Sequence, residues 1–478
     1  MGLPYQPKLD TPPKIASDFE LQAPAAIPTG GAKGALLILG RFLALFAIAA
    51  PVFAQYAGPA ILSRGDAPAG VGSAPVSFRP YFEISGIYDT GLTGAGLNAQ
   101  GELGSASSPG IQFGGGISGN HSWRHTTIGL SYHGDINHFE KATYYDSSDQ
   151  SLLLSIKHQF TRHIYLDLRE SAGMFSTDSG LIALQQAVSY DPAQSTLPTT
   201  DFFDNRTLYL STQADLIYQR SARLSFDFGG DGFIDRRRSS DLYGVTGESA
   251  RGDAQYRVSR RSTIGANYTF THYSYTRIFS GTYIHGFSGT YAIQLTRHLE
   301  FTGYAGVSHI DNTLEQVVPV SPVIAAILGI TSGLTVSHTL SNVPNGSGRL
   351  SDQFHNGVAY ISGGHTVTPG NGLFLTSTQT SASAGYTFTG VRRWSLGATL
   401  LYTKAATVGE TVGGIAGTYG GTGVTLSASR LIARSMHVVA ALDANRYDSA
   451  NFALYNRTVY SVRLGFGWAP GDIPLRVW

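Results

Sequence analysis

One phrase recurs about seven times along this chain: an alternating apolar/polar run, a tight turn centred on arginine, and a second alternating run. The turns read Trp123-Arg124-His125, Thr161-Arg162-His163, Gln219-Arg220-Ser221, Ser259-Arg260-Arg261, Thr296-Arg297-His298, Arg392-Arg393-Trp394 and Ala433-Arg434-Ser435. Each phrase is a β-hairpin, because the apolar positions repeat every second residue and nowhere at helical spacing. A succession of such hairpins has two solutions: a sandwich that buries the apolar face, or a barrel that turns it to lipid. Within lipid every backbone group needs a partner and no sheet edge can stay open, so a membrane sheet must close on itself.

The alternation holds on both arms. Ile164, Leu166 and Leu168 interleave with Tyr165, Asp167 and Arg169. Leu224, Phe226 and Phe228 interleave with Arg223, Ser225 and Asp227, and Leu208, Leu210, Ala214 and Leu216 with Tyr209, Ser211, Gln213 and Asp215. The same dyad runs through Ile264–Phe270, Trp394–Tyr402 and Tyr460–Trp468. Aromatic residues sit close to the turns (Trp123, Phe160, Tyr218, Trp394), at the level of a headgroup girdle. The segments run about 10 to 14 residues, enough to cross a bilayer at a tilt, whereas sandwich strands average nearer 5 or 6.

Composition agrees with a barrel. Charged residues make up 14% of the chain, where a soluble chain carries about 25%. Glycine is abundant, at 58 of 478 residues, and tyrosine and phenylalanine number 26 and 24. A mean hydropathy of −0.03 excludes a bundle of membrane-spanning helices, each of which needs about 20 apolar residues in succession. The absence of cysteine excludes disulfides, thiolate metal sites and a cysteine nucleophile, and a net charge of +1 gives no reason to expect nucleic acid.

Lys33 and Arg41 precede an apolar stretch at 42–50, followed by Pro51-Val52-Phe53-Ala54 and Gln55. This pattern predicts a signal peptide cut after Ala54, with an extended n-region or a start codon placed too early accounting for the segment before it. Residues 55–77 then form a flexible Ala/Gly/Pro-rich lead-in, and 78–478 the barrel. One strand at 78–89, seven hairpins and a last strand at 458–468 make about 16. The expected fold is therefore an all-β, antiparallel transmembrane β-barrel of about 16 strands with short periplasmic turns and long external loops.

With its dyad repeats, aromatic girdles and C-terminal aromatic Trp478, the chain from 78 to 478 resembles the outer-membrane β-barrel proteins of Gram-negative bacteria, porins especially. The resemblance implies residence in the cell outer membrane, contact with its lipid, insertion by the barrel-assembly machinery through the C-terminal aromatic, and a homotrimer. A further likeness, in the Arg-Arg-Trp-Ser-Leu-Gly run from Arg392, is to barrels associated with exopolysaccharide export.

If the apolar set faces lipid, the other set lines a lumen: Glu83, Asp135, Lys157, Asp167, Arg169, Asp215, Arg223, Asp227, Asp253, Arg257, Glu300, Asp443 and Arg463. Charges of both signs on a wetted wall suit a channel for passive diffusion of small hydrophilic solutes, since opposed charges set a transverse field at a constriction. An export conduit would instead use inward tyrosines such as Tyr81, Tyr165, Tyr209 and Tyr304. A closed barrel serving as a surface anchor or enzyme would fill its lumen with a loop. Two long external loops are expected, 176–203 and 311–372. The second holds an apolar run at 317–330 that should fold inward as a constriction or plug, or make an external contact.

The remaining motifs carry little. Arg64-Gly65-Asp66 and Arg251-Gly252-Asp253 match an adhesion tripeptide by chance, and the glycine-rich 413–423 reads as a flexible loop. His133, His272, His285, His309, His355 and His365 lack metal spacing, so no metal and no cofactor is expected. No nucleophile, base and orienting acid assemble from spacing, and no enzyme is expected.

Overall fold

The structure, a computed structural model, describes residues 77–97, 103–141, 146–175, 207–237, 242–321, 327, 329, 332–370, 372, 375–408, 418–449 and 456–470. The strands are β1 Ser77–Leu97, β2 Leu103–Ser122, β3 Thr126–Phe139, β4 Ser147–Thr161, β5 Ile164–Phe175 and β6 Thr207–Gln219. They continue as β7 Leu224–Arg237, β8 Val245–Arg257, β9 Ser262–Tyr275, β10 Ser280–Gln294, β11 Leu299–Pro319 and β12 Ser332–Phe354. The last six are β13 Gly357–Thr368, β14 Ser377–Phe388, β15 Trp394–Thr407, β16 Thr418–Leu431, β17 Met436–Ser449 and β18 Arg457–Trp468.

Every strand pairs with its sequence neighbours, and β1 also pairs with β18, which seals an 18-stranded antiparallel ring. The seam runs from Phe82↔Trp468 to Asp89↔Ser461. Thr90 reinforces it, its Oγ1 accepting from Tyr460 N at 2.8 Å.

The ring has two strands more than the expected 16, and the reason lies in residues 311–372. They do not form one loop. Their first part completes β11, and the rest contains β12 and all of β13, joined by the two-residue turn His355-Asn356. That turn has no arginine, and the outward positions Asn342, Pro344, Gly346 and Gly348 of β12 carry none of the apolar dyad that marks the other strands. The described part of the apolar run does not fold inward either. Val317 and Val318 extend β11 against Leu334 and Gly333, and Leu334 and Val336 stand exposed on a hairpin longer than its neighbours. The end opposite the arginine turns is also less loop-rich than expected, since only residues 276–279 join β9 to β10. Residues 418–423 of the glycine-rich stretch belong to β16.

In four of the seven recurrent turns a hydroxyl side chain supplies part of the bonding. Thr161 Oγ1 accepts from the backbone N–H of His163 and Ile164 at 3.2 and 3.1 Å. Ser221 Oγ takes Arg223 and Leu224 at 3.2 and 3.0 Å, and Thr296 Oγ1 takes His298 and Leu299 at 3.2 and 3.0 Å. Ser259 Oγ accepts from Arg261 at 3.1 Å. A hydroxyl that satisfies two orphan amides closes a turn without a glycine. The arginines stand outside, in water.

The exterior is apolar. Phe228, Phe287, Leu400 and Phe466 are 56%, 66%, 54% and 54% exposed, and the dyads Ile264–Phe270, Trp394–Tyr402 and Tyr460–Trp468 all face out. A soluble protein does not leave a belt of this kind in water. Among the described residues no helix is long and apolar enough to cross a membrane.

The polar lumen and its inward arm

Register fixes what faces the lumen, because cross-strand partners share a face. Of the candidate wall residues, Glu83, Asp135, Lys157, Asp167, Arg169, Asp215, Asp227, Asp253, Arg257, Glu300, Asp443 and Arg463 lie on the inward face of their strands. Arg223 does not; it sits exposed in the β6–β7 turn, where residues 220–223 leave the strand. Alternation pointed to the inner face there because the dyad continues one step past the strand end.

The charges gather on one side. A single cross-strand row carries Lys157, Asp167, Asp215, Gly229 and Arg251 over β4 to β8. Lys157 Nζ lies 3.4 Å and Arg169 Nη2 3.0 Å from Asp167 Oδ2. Arg251 reaches across Gly229 to pair with Asp215, whose other oxygen accepts from Gln213 Nε2 at 2.8 Å. Any side chain at 229 would strike Asp215 and Arg251, so the glycine is what lets the two meet.

Three pairs of aspartates face each other directly: Asp135↔Asp149, Asp167↔Asp215 and Asp227↔Asp253. Like charges in register destabilise a sheet. Neighbours offset the repulsion in part, since Asp135 bonds His133 Nε2 at 2.7 Å and Asp253 accepts from Asn267 Nδ2 at 2.8 Å. Nearer the far end, Asp235 and Arg237 pair at 3.0 Å, both almost wholly buried.

The opposite side, β13 to β17, is hydroxyl-lined. Its inward residues include Ser362, Ser381, Ser383, Thr387, Thr399, Thr403, Thr425 and Ser427, with Ser362 and Ser383 bonded at 2.7 Å. Asp443 brings a carboxylate there and accepts from Thr425 Oγ1 at 2.7 Å. Oppositely charged groups thus adjoin on the β4–β8 wall.

The chain after β13 turns inward at the far end, a feature that spacing did not reveal. Pro369 is fully buried, and Gly370 and Gly372 take φ of 79° and 87°, a left-handed bend suited to glycine. Tyr275 Oη donates to Pro369 O at 3.1 Å and pairs with Thr376 Oγ1 at 2.7 Å, which itself meets Thr282 Oγ1 at 2.6 Å. Tyr243 N donates to Gly372 O at 3.0 Å. Leu375 and Val408 join inward residues of β6 to β11, among them Tyr209, Phe233, Tyr273 and Ile310, in an apolar cluster. An arm from β13–β14 is therefore anchored on the inner wall of β9 and β10, and narrows the mouth.

Tyr81, Tyr165 and Tyr304 also face inward, whereas Tyr209 is committed to this cluster. Arg251-Gly252-Asp253 lies on β8. Among the described residues no group of three or more His, Cys, Asp or Glu could hold a metal ion. The signal segment and its cut after Ala54, the lead-in to residue 76, Arg64-Gly65-Asp66, the 176–203 loop and Trp478 lie outside the described residues.

No protein-family model matches this sequence, and no curated protein matches it. Among solved structures, the FrpB iron transporter from Neisseria meningitidis (F3-3 variant) is 9% identical with a TM-score of 0.40, over 78% of this chain and 62% of that one. The chain thus spans less than two thirds of that transporter's length. Pseudomonas aeruginosa OccK5 (OpdH) is 10% identical with a TM-score of 0.40, over 84% and 98% of the two chains. Acinetobacter baumannii OccAB3 is 9% identical with a TM-score of 0.37, over 82% and 98%. Likenesses this distant settle nothing about function. The closed ring and its apolar belt, on their own, are those of a membrane-spanning β-barrel.

Proposed function

We propose that the protein is an outer-membrane channel through which small hydrophilic solutes diffuse passively. One observation carries this reading: an 18-stranded ring, apolar outside, whose inner wall is charged on one side and hydroxyl-lined on the other. A barrel that serves only as an anchor has no need of aspartates in register inside it, and rings of this strand number enclose an aqueous bore. On this reading the arginine turns are periplasmic and the inward arm narrows the external mouth. Outer-membrane lipid meets the belt, the barrel-assembly machinery inserts the chain, and a homotrimer is the expected assembly. Catalysis has no part in it.

The test is planar-bilayer conductance of the refolded full chain, beside a variant in which residues 369–376 are replaced by two glycines. Discrete steps from the full chain, and larger steps from the variant, are expected. Silence from both, in protein shown to be inserted, would sink the channel and favour an anchor.

A further inference from the structure

At the far end of the barrel β12 outruns β13. It pairs with β13 only from Gly346↔His365 to Phe354↔Gly357, while on its other side it follows β11 as far as Pro319↔Ser332. Among the described residues, no strand pairs with 332–345 on the β13 side. Pro344 explains where the two strands part. Glu315 N donates to Phe279 O, toward β10, so Val336, opposite Glu315, turns its own N–H and C=O away from β11. Even-numbered positions of β12 therefore address the β13 side. At 344 the residue is proline, which has no N–H to give, and the ladder stops at the pair before it. β13 then departs toward the inward arm, and the β11–β12 hairpin runs on with a bare edge.

Residues 333–343 of that edge read Gly-Leu-Thr-Val-Ser-His-Thr-Leu-Ser-Asn-Val, without Asp, Glu, Lys or Arg, and their ladder to β11 has no bulge. Leu334, Val336 and Leu340 are each more than half exposed. Edges are normally blunted by charge, proline or a bulge, and one that has none of these over its length is a template for a further strand. The sequence also says which strand. Read from His338 in both directions it repeats its own chemistry: Ser337 and Thr339, then Val336 and Leu340, then Thr335 and Ser341. Laid antiparallel on a second copy, with His338 opposite His338, it sets hydroxyl against hydroxyl on one face and apolar against apolar on the other. The edge groups of 334, 336, 338, 340 and 342 then exchange about ten hydrogen bonds. His338, the residue on the axis, is held on the outward face by Asp311, whose Oδ1 lies 3.0 Å from its Nε2.

We propose that the bare edge of β12 pairs with the same edge of a second copy of this chain, antiparallel and centred on His338. Strand direction decides how the two barrels stand. Each barrel joins its hairpin at the Phe354 end of β12, and antiparallel strands point these ends in opposite directions, so the barrels lie at opposite ends of the joined sheet. The contact therefore links barrels mouth to mouth across two facing membranes, not neighbours within one. It goes beyond the channel reading, does not need conduction, and leaves the apolar belt to other contacts.

The chain has no cysteine, so one introduced thiol is the only thiol present. In a hydrogen-bonded antiparallel pair the Cα atoms are about 5.5 Å apart, within disulfide reach, and a residue meets its own copy at that distance only on the axis. The refolded full chain carrying His338→Cys, mildly oxidised in detergent micelles, should run as a disulfide-linked dimer on non-reducing gels. Leu334→Cys should not, because its counterpart lies about eight residues, or roughly 26 Å, along the partner strand. Leu340→Pro added to His338→Cys removes an N–H that faces the edge, leaves the β11 ladder whole, and should cut the dimer at least about tenfold. Folding of each variant is checked by heat-modifiable gel mobility. With no cysteine introduced, vesicles bearing the native protein should cluster in light scattering, and vesicles bearing Leu340→Pro should stay apart. No dimer from folded His338→Cys, equal linking by Leu334→Cys or by the proline variant, or native vesicles that do not cluster would each overturn the contact.

Discussion

The walls of β4–β8 and β13–β17 are alike outside and unlike inside. Both show lipid an apolar face, with Phe228 on one and Leu400 on the other more than half exposed. Inside, the first sets Asp167 against Asp215 and Asp227 against Asp253, and the second sets Ser362 against Ser383. The outside answers to the membrane, which accepts only one kind of surface. The inside answers to water, and so has latitude for chemistry that the fold does not need. Aspartates in register work against the sheet, so their presence on one wall alone separates what function asks of the barrel from what folding asks.

The sharpest way to break the comparison is to remove a cation from the charged wall. Arg251→Met leaves the buried Asp215 without its cation, with only the Gln213 amide still bonded to it, and should cost about 3–5 kcal/mol in urea unfolding from lipid vesicles. Ser383→Ala on the hydroxyl wall should cost only about 0.5–1.5 kcal/mol in the same assay. Equal losses would mean that the walls differ in composition but not in how tightly they are committed.

A second pair asks whether the walls are equivalent outside. Phe228→Arg and Leu400→Arg should each lose about 2–4 kcal/mol, while Thr399→Arg, one residue away but facing in, should change stability little. A large loss from Thr399→Arg would place the face assignment of β15 in error.

The smaller effects lie in selectivity. Reversal potentials under a KCl gradient should show a preference for cations, because the inward carboxylates of β4–β8 outnumber the inward cations there and focus potassium. Asp227→Asn with Asp253→Asn should bring the permeability ratio toward unity without loss of stability. Ser383→Asp, which gives the neutral wall a charge, should raise it slightly. Selectivity that ignores all three substitutions would show that the permeation path does not follow the charged wall.

How much of this the sequence disclosed depended on range. Alternation is local, so the outward dyads of β9, β15 and β18 and the inward positions of Asp167, Asp215 and Asp253 were all legible from spacing of two. The β12–β13 hairpin was not, since His355-Asn356 lacks the recurrent arginine and Asn342 to Gly348 lack the apolar partner set. Arg223 failed at the other limit, where an alternation outruns its strand. The inward arm was beyond spacing altogether, because Tyr275 and Thr376 lie 101 residues apart and only the closed ring brings them together.

The seam between β1 and β18 has a consequence in time. Thr90 and Tyr460 are 370 residues apart, so one edge of the first strand has no native partner until the last has emerged. During all of that interval β1 offers unpaired N–H and C=O groups that any other strand could take. No part of the ring can shed its edges early, since each intermediate, whether of four strands or seventeen, still has two. The barrel must become whole in one final pairing, and until then its safety depends on whatever holds the two ends apart from other chains.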